Sequence, residues 1–159
     1  MDAKSPMVPF VKATAEVFKD MLGMTISSGE AENEGDLFKS YGFSVIVGFT
    51  GGWRGRFFLD MSQDTAIRIA SSLTGEEYQT AAEEEVLLSG AELGNIIGGH
   101  AITTINNSIP GLNIRLTPPS VFAGDGLSMF NIRLASWSVV MKTDAGPIKI
   151  NVASEARKG

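Results

Sequence analysis

Along residues 9–22, the apolar side chains Phe10, Val11, Ala13, Val17, Phe18, Met21 and Leu22 recur at helical spacing, and Gly23 is placed to stop the turn. This spacing predicts a first amphipathic helix. Residues 24–28 read as a short strand, and residues 29–36, with Glu30, Glu32, Glu34 and Asp36, as a solvated acidic loop. The period then shortens. Residues 44–49 and 55–59 are β-rich runs flanking Thr50-Gly51-Gly52-Trp53, the pattern of a hairpin. Ser62 is placed to cap a second helix over residues 64–73, which gathers Ala66, Ile67, Ile69, Ala70 and Leu73 on one face and closes at Gly75.

The longest periodic stretch opens on Glu83-Glu84-Glu85, acidic residues suited to the positive end of a helix dipole, and runs to about Asn107. At ~100° per residue, Val86, Leu93, Ile97, Ala101 and Ile105 share an apolar sector that should face a sheet. Gly90, Gly94 and Gly98 repeat near that sector. Each costs about 1 kcal/mol relative to alanine, so their spacing points to a close approach by another helix. His100 falls at the edge of the buried sector and reads as a packed core histidine. Beyond this helix, residues 114–122, 128–141 and 148–153 read as strands, the last two joined around Asp144-Ala145-Gly146.

Laid over each other, the two long helices match Ala15-Glu16-Val17-Phe18-Lys19 with Ala91-Glu92-Leu93-Gly94-Asn95. A helix followed by three strands, twice, predicts an α+β fold: a duplicated unit with a largely antiparallel sheet and the long helices on one face. Residues 1–159 would form one domain, with halves of about 8–75 and 83–155.

Composition narrows the chemistry. With 43% hydrophobic and 19% charged residues, the chain has apolar surface enough for a core without metals or disulfides. It has no cysteine, which excludes thiol nucleophiles and thiolate zinc sites, and its single histidine argues against a Ser-His-Asp triad or a multi-histidine metal site. A net charge of -5 argues against nucleic acid as a partner. Residues 1–6 lack the basic flank and apolar run of an export signal, and Glu92, Asn95 and His100 interrupt the most membrane-like stretch. A cytoplasmic protein without a membrane span is expected.

Polar side chains converge in one place on a regular element. Glu92 and Asn95, three residues apart, are neighbours on the side of the long helix opposite its apolar sector, together with Leu88 and Gly99. Gly99 would leave room there for another molecule, and Leu88 fits either a partner surface or an isolated exposed leucine. Spacing alone does not separate a functional face from an ordinary wet one. Trp53 and Arg54, at the hairpin, could form an interaction surface, but an aromatic beside a turn reads more simply as packing on its own sheet.

The run Ala91-Glu92-Leu93-Gly94-Asn95-Ile96-Ile97-Gly98-Gly99 resembles the active helix of the CheX/CheC/FliY response-regulator phosphatases. The family motif is Glu-x-x-Asn followed, after 22 intervening residues, by proline; Asn95 is followed by Pro118 at that interval, within Leu116-Thr117-Pro118-Pro119-Ser120-Val121. The hairpin over residues 47–55 is similar to CheX-like members as well. Leu88 stands where the family commonly has Asp or Ser, with Ser89 one position later, and Lys19 replaces the asparagine in the first helix while Glu16 is kept.

This resemblance implies a CheC-like fold with one active site per chain, as in CheX-like rather than CheC-like members. It also implies a phosphatase that hydrolyses the aspartyl phosphate of a CheY-like response regulator in chemotaxis or another two-component circuit. Asn95 would hold the attacking water and Glu92 would dock on the regulator's lysine, with Leu88, Ser89, Gly99 and Pro118 as partner-binding positions. No cofactor is expected on this chain, Mg²⁺ is expected in the regulator, and a homodimer through the sheets is implied. The alternative is a non-catalytic dimeric module that binds a receiver domain or signalling partner.

Overall fold

A computed structural model describes residues 7–131 and 134–155. Residues 1–6, read above for an export signal, and residues 132–133, within the strand expected over 128–141, lie outside them. The elements are α1 (Met7–Leu22), β1 (Ser27–Ser28), β2 (Glu32–Asn33), β3 (Leu37–Lys39), β4 (Gly42–Thr50), β5 (Gly55–Ser62), α2 (Gln63–Thr74), α3 (Glu84–Ser108), β6 (Arg115–Leu116), β7 (Ser120–Ala123), β8 (Ser128–Phe130), β9 (Ala135–Thr143) and β10 (Gly146–Ser154). The short strand expected over 24–28 is confined to β1, with Met24 buried ahead of it, and the run expected over 114–122 divides into β6 and β7 around Pro118 and Pro119.

The main sheet runs β1-β9-β10-β5-β4-β6, with β2 also on β9 and β7 also on β4, and its paired strands are antiparallel. Two long hairpins, β4–β5 and β9–β10, meet where β5 pairs β10, so that Ile150 lies between Leu59 and Val139. Alternation does the rest. Phe43, Val45, Val47 and Phe49 from β4, Phe57, Leu59 and Met61 from β5, and Ile148, Ile150 and Val152 from β10 enter one core cluster with the helices. Phe10 of α1 stacks on Phe57 with ring centroids 4.8 Å apart. Ser62 caps α2 by accepting from the Thr65 backbone N–H, and Gly75 ends it in the left-handed conformation, as the sequence pattern required.

The other sheet face carries a feature the pattern did not disclose. The three-residue β3 pairs β8 as a separate ribbon, and Phe38 and Met129 from it close over Phe58 of β5. Asp60 is buried beneath this ribbon and accepts hydrogen bonds from Ser40 Oγ at 2.6 Å and the Tyr41 N–H at 2.8 Å. Burial raises its carboxyl above the ordinary range, an effect those bonds partly offset. The acidic segment 29–36 is not wholly solvated: Glu34 forms an ion pair with the largely buried Lys149, whose Nζ stands 4.4 Å from the Phe38 ring centre. Among the described residues, no helix is long and apolar enough to cross a membrane.

Candidate functional site

How α3 is seated decides what it can present. A Cβ at Gly90 would fall 2.7 Å from the Phe43 ring, one at Gly94 2.6 Å from Val45 Cγ1, and one at Gly98 3.2 Å from Leu116 Cδ2. The glycine spine therefore lies against β4 and β6, and the close approach it permits is helix to sheet rather than the expected helix to helix. The side chains that α3 lacks are supplied by the sheet, whose valines and phenylalanine reach up to the helix backbone. Val86, Leu93, Ile97, Ala101 and Ile105 are buried on the same side, as their shared sector requires.

Opposite that seat, Leu88, Glu92 and Asn95 are exposed, Leu88 to 58%. Gly99 is half-buried, and among the described residues a Cβ there would meet nothing within 4 Å beyond its own helix turn. The side chains of Glu92 and Asn95 make no hydrogen bond or ion pair with another described residue. Their polar atoms are free for a molecule from outside. Two expectations fail on this helix: Ser89 is buried at 7% exposure, which removes it from the candidate surface, and His100 is exposed rather than packed in the core.

Both failures have one cause, a drift of the buried stripe around the helix. Thr104 follows Val86 by 18 residues, ~five full turns, and so returns to its angular position, yet Val86 is buried and Thr104 exposed. Near its start α3 buries residues on the Ser89 side. Toward its end that side is open, and His100, Thr104 and Ser108 are exposed along it.

Pro118 lies exposed on the connection between β6 and β7. Leu116 places this segment against Gly98 of α3, and Thr117 is fastened to β4, its N–H donating to the Gly48 carbonyl at 2.8 Å and its Oγ1 accepting from the Gly48 N–H at 3.0 Å. Asn106, not singled out from the sequence, clamps the same segment to the helix end: its side chain accepts from the Ile114 N–H at 2.8 Å and donates to the Ile114 carbonyl at 3.0 Å. The only sequence signal was an asparagine pair at a helix end. Trp53, as expected, packs inward, 1% exposed, with its ring N–H on the Glu155 carbonyl at 2.8 Å.

The pair lies on an exposed helix face, and chemistry there must act on something brought to it. An open cavity of about 360 Å³, lined by Gly48, Arg54, Arg56, Thr117 and Glu155 among others, lies away from it on the sheet side that Arg56 and Gly48 share. Among the described residues, no three His, Cys, Asp or Glu side chains are grouped to hold a metal ion. What α3 offers is a carboxylate one helical turn from a carboxamide, which can donate and accept at once without titrating.

The family model described as Chemotaxis phosphatase CheX matches residues 43–141. A Thermotoga maritima protein named CheY-P phosphatase CheX is 26% identical over 140 residues, covering 88% of this chain and 83% of its own length. A Borrelia burgdorferi CheX, solved in complex with CheY, BeF3 and Mg²⁺, is 32% identical with a TM-score of 0.78, and the match covers 94% of this chain and 97% of that one. A chemotaxis protein CheX from Desulfovibrio desulfuricans shares the fold at a TM-score of 0.84 and 24% identity, covering 95% and 99% of the two chains.

Proposed function

The chain belongs to the CheX family of chemotaxis phosphatases, and on that premise we propose how it works: it removes the phosphoryl group from the aspartyl phosphate of a CheY-like response regulator, using the exposed face of α3. The observation that carries the reading is the pair of unpartnered Glu92 and Asn95 side chains on a helix packed closely against the sheet. Phosphoryl transfer depends mainly on positioning and charge stabilisation, and the regulator brings the acyl phosphate, its own Mg²⁺ and its lysine. This chain has only to place a water in line with the bond to be broken. The Asn95 carboxamide accepts from and donates to that water, while Glu92 pairs with the regulator's lysine and holds the helix in place. Pro118 lies on a segment tied to both α3 and β4, where it can border the docked regulator.

The reading includes a cytoplasmic protein that works as a homodimer through its sheets. In support, the sheet side away from the helices leaves Phe122, Phe130, Leu37, Tyr41 and Val140 between 42% and 56% exposed. The apolar Leu88 next to the pair favours a second reading, a module that binds the receiver domain without catalysis. Decay of a phosphorylated CheY-like receiver, followed with and without the chain, separates the two. Acceleration that falls when Glu92 is replaced by alanine is expected; tight binding with unchanged decay would establish the module instead.

A further inference from the structure

Glycine in the middle of a helix weakens it relative to alanine, so each such glycine in α3 calls for a reason. Gly90, Gly94 and Gly98 have theirs in β4 and β6, whose side chains occupy the space a Cβ would need. Gly99 has none among the described residues: apart from its own helix turn, nothing lies within 4 Å of its absent Cβ, and its carbonyl takes an ordinary helix-side bond from Thr103 Oγ1 at 2.8 Å. The opposite anomaly stands three turns earlier, where Leu88 exposes 58% of its surface on the same side of the helix.

We propose that Leu88 and Gly99 are a knob and a notch that set the axial register of α3 on the receiver domain, an inference that rests on the reading of this face as the docking surface. The two are 11 residues apart, ~16 Å along the axis, with Glu92 and Asn95 between them. Leu88 enters an apolar recess of the receiver, and a part of the receiver that a larger residue would repel comes down on Gly99. Fixing the helix at both ends of the pair holds Asn95 opposite the phosphoryl group, where a slip of one turn, ~5.4 Å, would carry it out of range. Both are positioning residues, since neither needs to touch the reacting atoms.

The test compares wild type, Leu88→Ser, Gly99→Ala, Gly99→Leu and Asn95→Ala. Binding is titrated with a CheY-like receiver loaded with Mg²⁺ and beryllofluoride, and kcat and KM come from decay of the phosphorylated receiver. Leu88→Ser should raise KM about tenfold and also lower kcat severalfold, because a helix free to slip holds Asn95 in line for only part of the time. Gly99→Ala should raise the melting midpoint by about 2–4 °C while weakening binding. Gly99→Leu should raise Kd by at least about tenfold and lower kcat, whereas Asn95→Ala lowers kcat and keeps Kd. If Gly99→Leu, folded with an undiminished melting midpoint, binds the loaded receiver as tightly as wild type, the notch is refuted. An unchanged KM in Leu88→Ser refutes the knob. A wild-type chain that neither binds the receiver nor speeds its decay overturns the docking reading itself, before any variant is compared.

Discussion

α1 and α3 pack against each other over the same sheet face, and each turns a glutamate to solvent, Glu16 from one and Glu92 from the other. Aligned through those glutamates, the helices differ at two telling places. Two residues on, α1 has Phe18 where α3 has Gly94; three residues on, α1 has Lys19 where α3 has Asn95. Phe18 is fully buried and Phe10 stacks on Phe57, so α1 fills the space between itself and the sheet with its own aromatic rings. At Gly94 the filling comes from below, from Val45 and Val47. One helix is seated by side chains it owns, the other by side chains it lacks. The outward difference is separate from the inward one: α1 presents the amine of Lys19 where α3 presents the carboxamide of Asn95. The fold supplies two exposed helix faces, and on the proposed reading residue chemistry makes only one of them a site.

Exchanging the two modes of seating should be costly in opposite senses. Phe18→Ala deletes a buried ring and leaves a void, which should destabilise the chain by about 3–5 kcal/mol. Chemical denaturation measures this directly, and a loss under ~1 kcal/mol would mean that α1 collapses into the space. Gly94→Leu adds volume where none is free and should cost about 1–3 kcal/mol by overpacking. It should also slow dephosphorylation, because the helix that carries Asn95 is lifted from β4. Retention of full stability and full rate in that variant would show that the glycine spine does not seat the site.

The sequence disclosed most of what positions the site and less of what surrounds it. Helical phase sufficed for the core-facing residues of α3 and for Leu88, Glu92 and Asn95 because they lie far from the margins of the buried arc, where a drift of the stripe changes nothing. Ser89 and His100 sit at those margins: a straight projection of the 25-residue helix puts His100 on the wrong side, and Ser89 comes from the family resemblance, which carries no burial information. The spine was legible as a close contact but not as a contact with β4, since glycine spacing says that something is near without saying what. β3 escaped notice because three residues are too few for a period, and its partner β8 is about ninety positions away. Glu34 looked solvated because its counter-ion, Lys149, is distant in sequence.

On the proposed reading, the Asn95 carboxamide holds the attacking water, and a place on an exposed helix face is not enough. Asn95→Ala and Lys19→Ala are exposed substitutions at matching positions of the two helices, and both should leave stability within ~0.5 kcal/mol. In parallel assays of phosphorylated-receiver decay and of binding to the beryllofluoride-loaded receiver, Asn95→Ala should lose about a hundredfold in kcat with its Kd unchanged, while Lys19→Ala matches wild type in both. Full activity in Asn95→Ala, or an equal loss in Lys19→Ala, would contradict the account.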